Sequence, residues 1–252
     1  MFFSKDKIIS RDHLPEEVDF RSGILFLVDK PLEWTSFDVV NKIRFALRHH
    51  LKDKNIKVGH AGTLDPLATG LLLICCGKAT KQIDKLANMD KCYSGTMYLG
   101  ATTPSYDKES QPDQTFDISH IRDGMIKNQT GLFTGEQSQV PPLFSAIRVN
   151  GKKGYELARR GVDVKMESRT VFIHDFRITS IRLPEIDFFV CCSKGTYIRS
   201  LVHDFGKSLN AGAYLYALRR ESIAGFSVND AMGVDEVVNY IQSTKVINPS
   251  PS

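Results

Sequence analysis

The chain has 252 residues, 42% of them hydrophobic and 25% charged, and a chain of this size buries about three-quarters of its extended surface on folding, which excludes global disorder and a disulfide-stapled miniprotein. Its net charge of +4 is mild but unevenly spread: residues 39–60 hold six Lys/Arg against one acid, residues 148–165 six against two, and residues 106–123 five acids against two bases. Two basic segments flanking an acidic one predict a face that meets a polyanion.

Residues 1–22 read as a polar lead-in, too charged for a signal-peptide apolar core. Gly23–Asp29 (GILFLVD) is a continuous apolar run and predicts a buried strand stopped at Lys30-Pro31. Thr35-Ser36-Phe37-Asp38 offers a capping box, and Val40, Ile43 and Leu47 share one helical face. An amphipathic helix with a basic outer face is therefore predicted over 36–50. A glycine-rich loop over 57–70 leads into a buried strand, Leu71–Cys76, followed by a helix over 79–89, a strand over 91–99 and a loop over 102–117.

A short helix is predicted at Ile118–Lys127, an irregular segment at Gln129–Asn150 around Pro141-Pro142, and a helical piece at Lys153–Arg160 ended by Gly161. The β-branched and aromatic content of Arg169–Leu183 and Ile186–Cys192 predicts strands, and Tyr197–Leu209 has helical spacing. Short strands at Ala213–Leu218 and Gly225–Val228, a helix at Val234–Ile241 and an NPSPS tail complete the chain. Strands and helices mix without strict alternation, which favours a single α+β or mixed-sheet domain over a doubly wound one.

The five cysteines are an odd number, and four stand in adjacent pairs inside apolar runs, Cys75-Cys76 and Cys191-Cys192. Neighbours in a strand point to opposite faces, so these pairs are not chelators; they read as small buried hydrophobes in a reducing compartment. No apolar run reaches membrane-spanning length, and a cytoplasmic protein is expected. A phosphate loop is rejected because six residues separate Gly70 from Gly77 and Ala79 stands where Ser or Thr belongs. No histidine pattern supports a metal site, and there is no G-x-S-x-G elbow.

The segment with chemical promise is the loop from Lys57 to Gly70, KVGHAGTLDPLATG, with three glycines, one histidine and one carboxylate. Pro66 biases Asp65 towards an extended backbone, which would fix a single acidic side chain at the rim of a core strand.

This loop resembles, almost residue for residue, the catalytic loop of the TruB family of tRNA pseudouridine synthases. Further family motifs follow in order: Leu27-Val28-Asp29-Lys30-Pro31 with Thr35-Ser36; Lys91-Cys92-Tyr93; Gln139-Val140-Pro141-Pro142-Leu143-Phe144-Ser145-Ala146 continuing to Gly151, Tyr155 and Ala158-Arg159; and Gly195-Thr196-Tyr197-Ile198-Arg199-Ser200-Leu201 followed by Asp204, Gly206, Gly212-Ala213 and Leu218-Arg219-Arg220. The resemblance spans about residues 23–226. It implies a pseudouridine-synthase fold of α+β class, with a central, mixed but mostly antiparallel sheet flanked by helices. The implied division is a lead-in over 1–22, a catalytic domain over 23–241 with an RNA-gripping insertion at about 129–165, and a tail over 242–252 without the PUA domain common in bacterial relatives.

The implied activity is isomerisation of uridine 55 in the T loop of tRNA. Asp65 would be the nucleophile, Arg199 the cation paired with it, and Tyr93 the residue stacked on the target base and placed for removal of the C5 proton. Tyr197 and Leu218 would wall the base pocket, Lys30 would support it, Asp107 would lie near the flipped nucleotides, and His60 would fill the space left by the extruded base. Arg148, Lys152, Lys153, Arg159 and Arg160 would contact RNA phosphates. No metal, cofactor or guide RNA is implied; the expected partner is the tRNA T arm, bound by a monomer. Arg148 stands where Lys is usual, and Ser110 where a glycine is expected.

Overall fold

The computed structural model describes residues 3–145, 148–149, 152–153 and 166–247. The chain divides into two compact units, Met1–Lys91 with Arg219–Ser252, and Cys92–Leu218. Both are of mixed α+β construction with mostly antiparallel strands, the fold class expected from the sequence.

In the first unit the strand Ile24–Lys30 pairs antiparallel with Ala68–Cys76, Leu25 facing Cys75 and Lys30 facing Gly70. Ile8–Ile9 and Met232–Gly233 pair with it in parallel, and Val58–Ala61 pairs antiparallel with Ala68–Cys76. Because side chains alternate along a strand, Phe26, Val28, Leu72, Ile74 and Cys76 enter one apolar cluster, whereas Leu25, Leu27, Leu71, Leu73 and Cys75 enter another. Burial on both faces is what turns ILFLV and LLLICC into unbroken apolar runs. Cys75 and Cys76 thus lie on opposite faces, as their adjacency in a strand requires, and burial pushes both thiols up, Cys75 to about 12, so that neither is a thiolate at neutral pH.

The first cluster is closed by the helix Ser36–Leu51 through Val39, Val40, Ile43 and Leu47, and by Val237 and Ile241 of the helix Val234–Ser243. The predicted capping box is present: the Thr35 hydroxyl accepts from the Asp38 amide at 3.0 Å, and the Asp38 carboxylate accepts from the Thr35 amide at 2.8 Å. The lead-in is not loose. Ile9, Val18 and Phe20 are buried in the same cluster, and the charged residues between them hide this apolar role in the sequence.

In the second unit Arg169–Arg182 and Glu185–Cys192 form an antiparallel hairpin, and Gly135–Gln139 pairs along the other edge of Arg169–Arg182. Phe133, Phe176, Phe188 and Phe205 meet with ring centroids between 5.6 and 6.4 Å apart, and Phe205 ties the helix Ile198–Ser208 to these strands.

Gly135–Gln139 (GEQSQ) is a strand within the segment read as irregular; backbone pairing recruits it although it carries no apolar alternation. The helix expected at Ile118 begins at Asp123, because the Asp117 carboxylate holds the Ser119 amide and hydroxyl in a turn. The helix expected over 79–89 is a 3-10 segment, Gly77–Gln82, then Ile83–Ala87. Ala213–Ile223 runs five residues past its expected end, through the polar Arg219-Arg220-Glu221. Cys191 is not a buried thiol: it is disulfide-bonded to Cys92, so the cysteines no longer argue for a reducing compartment. The predicted helix at Lys153–Arg160 begins on the strand Lys152–Lys153 and otherwise lies outside the described residues. Among the described residues no helix is long and apolar enough to cross a membrane.

Truncating Ile43, fully buried between helix and sheet, is expected to cost about 2–5 kcal/mol. Thr35→Ala, which removes the cap only, is expected to cost about 1 kcal/mol. Urea denaturation of both variants checks the order; a larger loss from the cap than from the core would contradict this packing.

Candidate active site

The loop between Val58–Ala61 and Ala68–Cys76 carries Asp65, and every stretch around that residue is tied down. On its N-terminal side the Leu64 amide donates to Ser36 Oγ at 2.9 Å, and the Ser36 hydroxyl donates to the Leu64 carbonyl at 3.1 Å. On its C-terminal side the Pro66 carbonyl accepts from the Glu33 amide at 2.9 Å and from Lys30 Nζ at 3.4 Å. The Asp65 carbonyl itself accepts from the Ala68 amide at 3.0 Å, closing a turn. Asp65 is half-buried.

Two fully buried cations brace this loop from beneath. Lys30 Nζ donates to the carbonyls of Trp34 (2.6 Å) and Pro31 (3.0 Å) besides Pro66. Burial pushes the Lys30 ammonium down to about 8, against an opposing pull from the Asp65 carboxylate. Arg220 Nε donates to the Leu71 carbonyl at 2.7 Å and its Nη2 to the Gly62 carbonyl at 3.1 Å, so one guanidinium holds both ends of the loop. Next to it, Arg219 clamps Asp29 through two bonds of 3.0 and 2.7 Å.

Gly70, at φ 104°, sits where a Cβ would fall 2.4 Å from the Arg220 carbonyl, so the loop closes only on glycine. His60 lies on Val58–Ala61 opposite Ile74. Burial, helped by the Arg220 charge, holds its imidazole below the usual histidine range, and Nδ1 has no hydrogen-bond partner among the described residues.

In the second unit Arg199 is 5% exposed and Asp107 6%. Arg199 Nη1 donates to the Ser105 carbonyl at 3.1 Å, and its Nε lies 3.6 Å from Asp107 Oδ2. Asp107 Oδ1 accepts from the Ser105 hydroxyl at 2.6 Å and the Glu109 amide at 3.0 Å. Asp107, read from the sequence as an RNA-side residue, thus turns its carboxylate towards protein groups. Tyr197 heads the helix Ile198–Ser208: its amide donates to Gln139 Oε1 at 2.7 Å, its carbonyl accepts from Gln139 Nε2 at 3.0 Å, and the Arg169 guanidinium stands 4.5 Å over its ring. Tyr93 is buried in the strand Lys91–Leu99, and Leu218 is half-buried.

The structure thus gathers Lys30, His60 and Asp65 in the first unit, and Arg199 with Asp107 in the second. Arg148 lies on the strand Arg148–Val149 and Lys152 and Lys153 on its antiparallel partner, but their side chains, and Arg159 and Arg160 entirely, lie outside the described residues. Sequence reasoning gave no role to Ser36, Gln139, Arg169 or Arg220, although Ser36, Gln139 and Arg220 stand in its quoted motifs. Among the described residues no three His, Cys, Asp or Glu side chains converge as a metal-binding set.

Residues 48–198 match the family model described as TruB family pseudouridylate synthase (N terminal domain). The chain is 53% identical over 221 residues to the tRNA pseudouridine synthase B of Flavobacterium johnsoniae, covering 87% of this chain and 96% of that one. It is 44% identical over 229 residues to the tRNA pseudouridine synthase B of Phocaeicola vulgatus, covering 91% and 97%. Among solved structures it resembles a chain of a Cbf5-Nop10-Gar1 complex at 26% identity and a TM-score of 0.67, and one of an archaeal box H/ACA sRNP Nop10-Cbf5 complex at 25% and 0.63. It covers 59% and 54% of those two chains.

The Lys30 ammonium gives a pH signature. Its folded value of about 8 lies below the ordinary 10.5, so between these two the unfolded chain binds the proton and the native one does not. This group therefore adds stability as pH rises through that window and adds none below about 8. Comparing urea stability of the wild type with Lys30→Met at pH 8, 9 and 10 isolates the effect: the wild type should gain relative to the variant. A constant difference would contradict a depressed lysine.

Proposed function

Because the chain belongs to the TruB family of pseudouridylate synthases, we propose that it isomerises uridine 55 in the T loop of tRNA to pseudouridine, acting alone on the RNA. The observation that carries this reading is Asp65: in a chain whose relatives are named tRNA pseudouridine synthase B, the one carboxylate of the glycine-rich loop stands on a turn braced by two buried cations.

In this reading the N1–C1′ bond of the uridine breaks, the base turns, and C5 joins C1′. The C5 proton leaves and N1 gains one, so atoms balance without redox. Asp65 adds as the nucleophile to C1′ or C6 and later leaves. Arg199 supplies the cation that balances the reacting carboxylate, and Tyr93 stacks on the base beside the departing C5 proton. Tyr197 and Leu218 flank the uracil, Asp107 supports the nucleotide side of the site through Arg199, and Lys30 holds the floor of the loop.

Extrusion of the uridine costs a few kcal/mol. A neutral His60 suits the gap left behind, since an uncharged ring inserts among bases at a smaller desolvation cost than an imidazolium. Arg148, Lys152, Lys153, Arg159 and Arg160 are assigned to phosphates, giving affinity and salt dependence with little sequence information. No metal, organic cofactor or guide RNA enters the scheme.

Incubating the protein with an unmodified tRNA transcript and mapping pseudouridine should place the modification at uridine 55 and remove it in a transcript with cytidine there. Modification at other positions only, or only when a guide RNA is added, would overturn the assignment. Replacing Arg159 and Arg160 together with alanine should weaken tRNA binding and lower the slope of log affinity against log salt by about one for each phosphate no longer neutralised. An unchanged slope would mean that neither arginine meets a phosphate.

A further inference from the structure

Within the second unit, one face of the helix Ile198–Ser208 and the turn that follows it line a cavity of about 580 Å³ together with the Thr102–Phe116 excursion. That volume lies in the range of small-molecule and cofactor sites, about 300–1,000 Å³.

Its walls are chemically specific. Tyr106 stacks on His203 with ring centroids 3.9 Å apart and planes 13° from parallel, and Phe116 adds a further aromatic surface. Tyr106 is held there at φ 63°, a left-handed backbone unfavourable for a bulky residue, by its own amide donating to the Thr103 carbonyl and its carbonyl accepting from the Leu215 amide at 2.9 Å. His203 Nδ1 is buried without a hydrogen-bond partner among the described residues. Burial, then the neighbouring Lys207 charge, keeps this imidazole below the usual range, against a weaker pull from Asp113. Gln114, Asn210 and Lys207 line the same space, and the carboxylate of Asp113 already accepts from the Thr102 hydroxyl at 2.7 Å.

A flat aromatic pair, two amides that each donate and accept, an unsatisfied ring nitrogen and one cation match a heteroaromatic ring with polar edges and an attached anion. We propose that this cavity binds a nucleotide, with the base against the Tyr106–His203–Phe116 aromatics, its polar edge on Gln114 and Asn210, and its phosphate on Lys207. The nucleotide is either a unit of the RNA other than the target uridine or a free mononucleotide; the first source rests on the reading of the chain as an RNA-modifying enzyme, the second does not.

The test titrates AMP, GMP, CMP, UMP and inorganic phosphate into wild type, Lys207→Glu and Asn210→Gly, following amide resonances or heat. Turnover of tRNA transcript is measured in parallel for all three proteins. Asn210 has φ 54°, so glycine removes the amide without backbone strain, and thermal melts confirm that each variant folds. At least one mononucleotide should bind wild type about tenfold more tightly than either variant. If KM for tRNA also rises about tenfold in both variants with kcat little changed, the ligand is a nucleotide of the RNA. If KM is unchanged, it is a free nucleotide. Binding of inorganic phosphate as tight as that of every mononucleotide would overturn the proposal, as would no mononucleotide binding together with unchanged tRNA kinetics. Wild type inactive on tRNA would fail the enzymatic reading alone, leaving the mononucleotide titration to judge the cavity.

Discussion

The burial of Lys30 and Arg220 beneath a single loop is the constraint on which the first unit depends. Taking a cation out of water costs several kcal/mol unless polar groups replace the water. Here the replacements are backbone carbonyls, those of Pro31, Trp34 and Pro66 for Lys30 and those of Gly62 and Leu71 for Arg220. The carbonyls of Gly62, Pro66 and Leu71 belong to the loop around Asp65 or to its end, and those of Pro31 and Trp34 to the turn before the helix Ser36–Leu51. Three of these bonds, from Lys30 to Pro66 and from Arg220 to Gly62 and Leu71, therefore solvate a charge and fix the loop at once, and moving the loop would weaken the solvation of both ions. A carboxylate meant to meet a reacting carbon gains from such a base, because positioning errors of an ångström are costly to catalysis.

The same arrangement explains which parts of the molecule were legible in the sequence. The strands Ile24–Lys30 and Ala68–Cys76 announced themselves because both faces are covered and nothing polar interrupts them. The helix after Thr35 was legible because its cap is a local interaction spanning three residues. Arg220 was not legible as a structural residue, since nothing in LRRES separates a buried guanidinium from a solvated one; its partners lie about 150 positions away in the chain, at Gly62 and Leu71. Gly135–Gln139 was missed for a related reason, its strand being specified by the neighbour it pairs with and not by its own side chains. The Cys92–Cys191 bond likewise joins positions 99 apart, which no local pattern encodes.

For the site, the sequence marked Asp65 and its loop through residue type and spacing, and the resemblance supplied the roles. What the fold adds is the supporting layer: Ser36 holding Leu64 through its hydroxyl, Gln139 gripping the Tyr197 backbone with both ends of its amide, and Arg169 over the Tyr197 ring. These interactions orient groups assigned to substrate without themselves being reactive. They connect the folding problem to the chemical one, since the strand missed in the sequence, Gly135–Gln139, is the one that delivers Gln139 to the head of the helix bearing Arg199.

On the proposed mechanism Asp65, on its braced loop, is the reacting group and not merely part of the binding surface. Replacing Asp65 by Asn keeps the shape of the side chain and removes its charge and nucleophilicity. Measured side by side for tRNA binding and for single-turnover pseudouridine formation, Asp65→Asn is predicted to bind tRNA as the wild type does and to form no pseudouridine. Pseudouridine formed at the wild-type rate would mean that Asp65 is not the nucleophile.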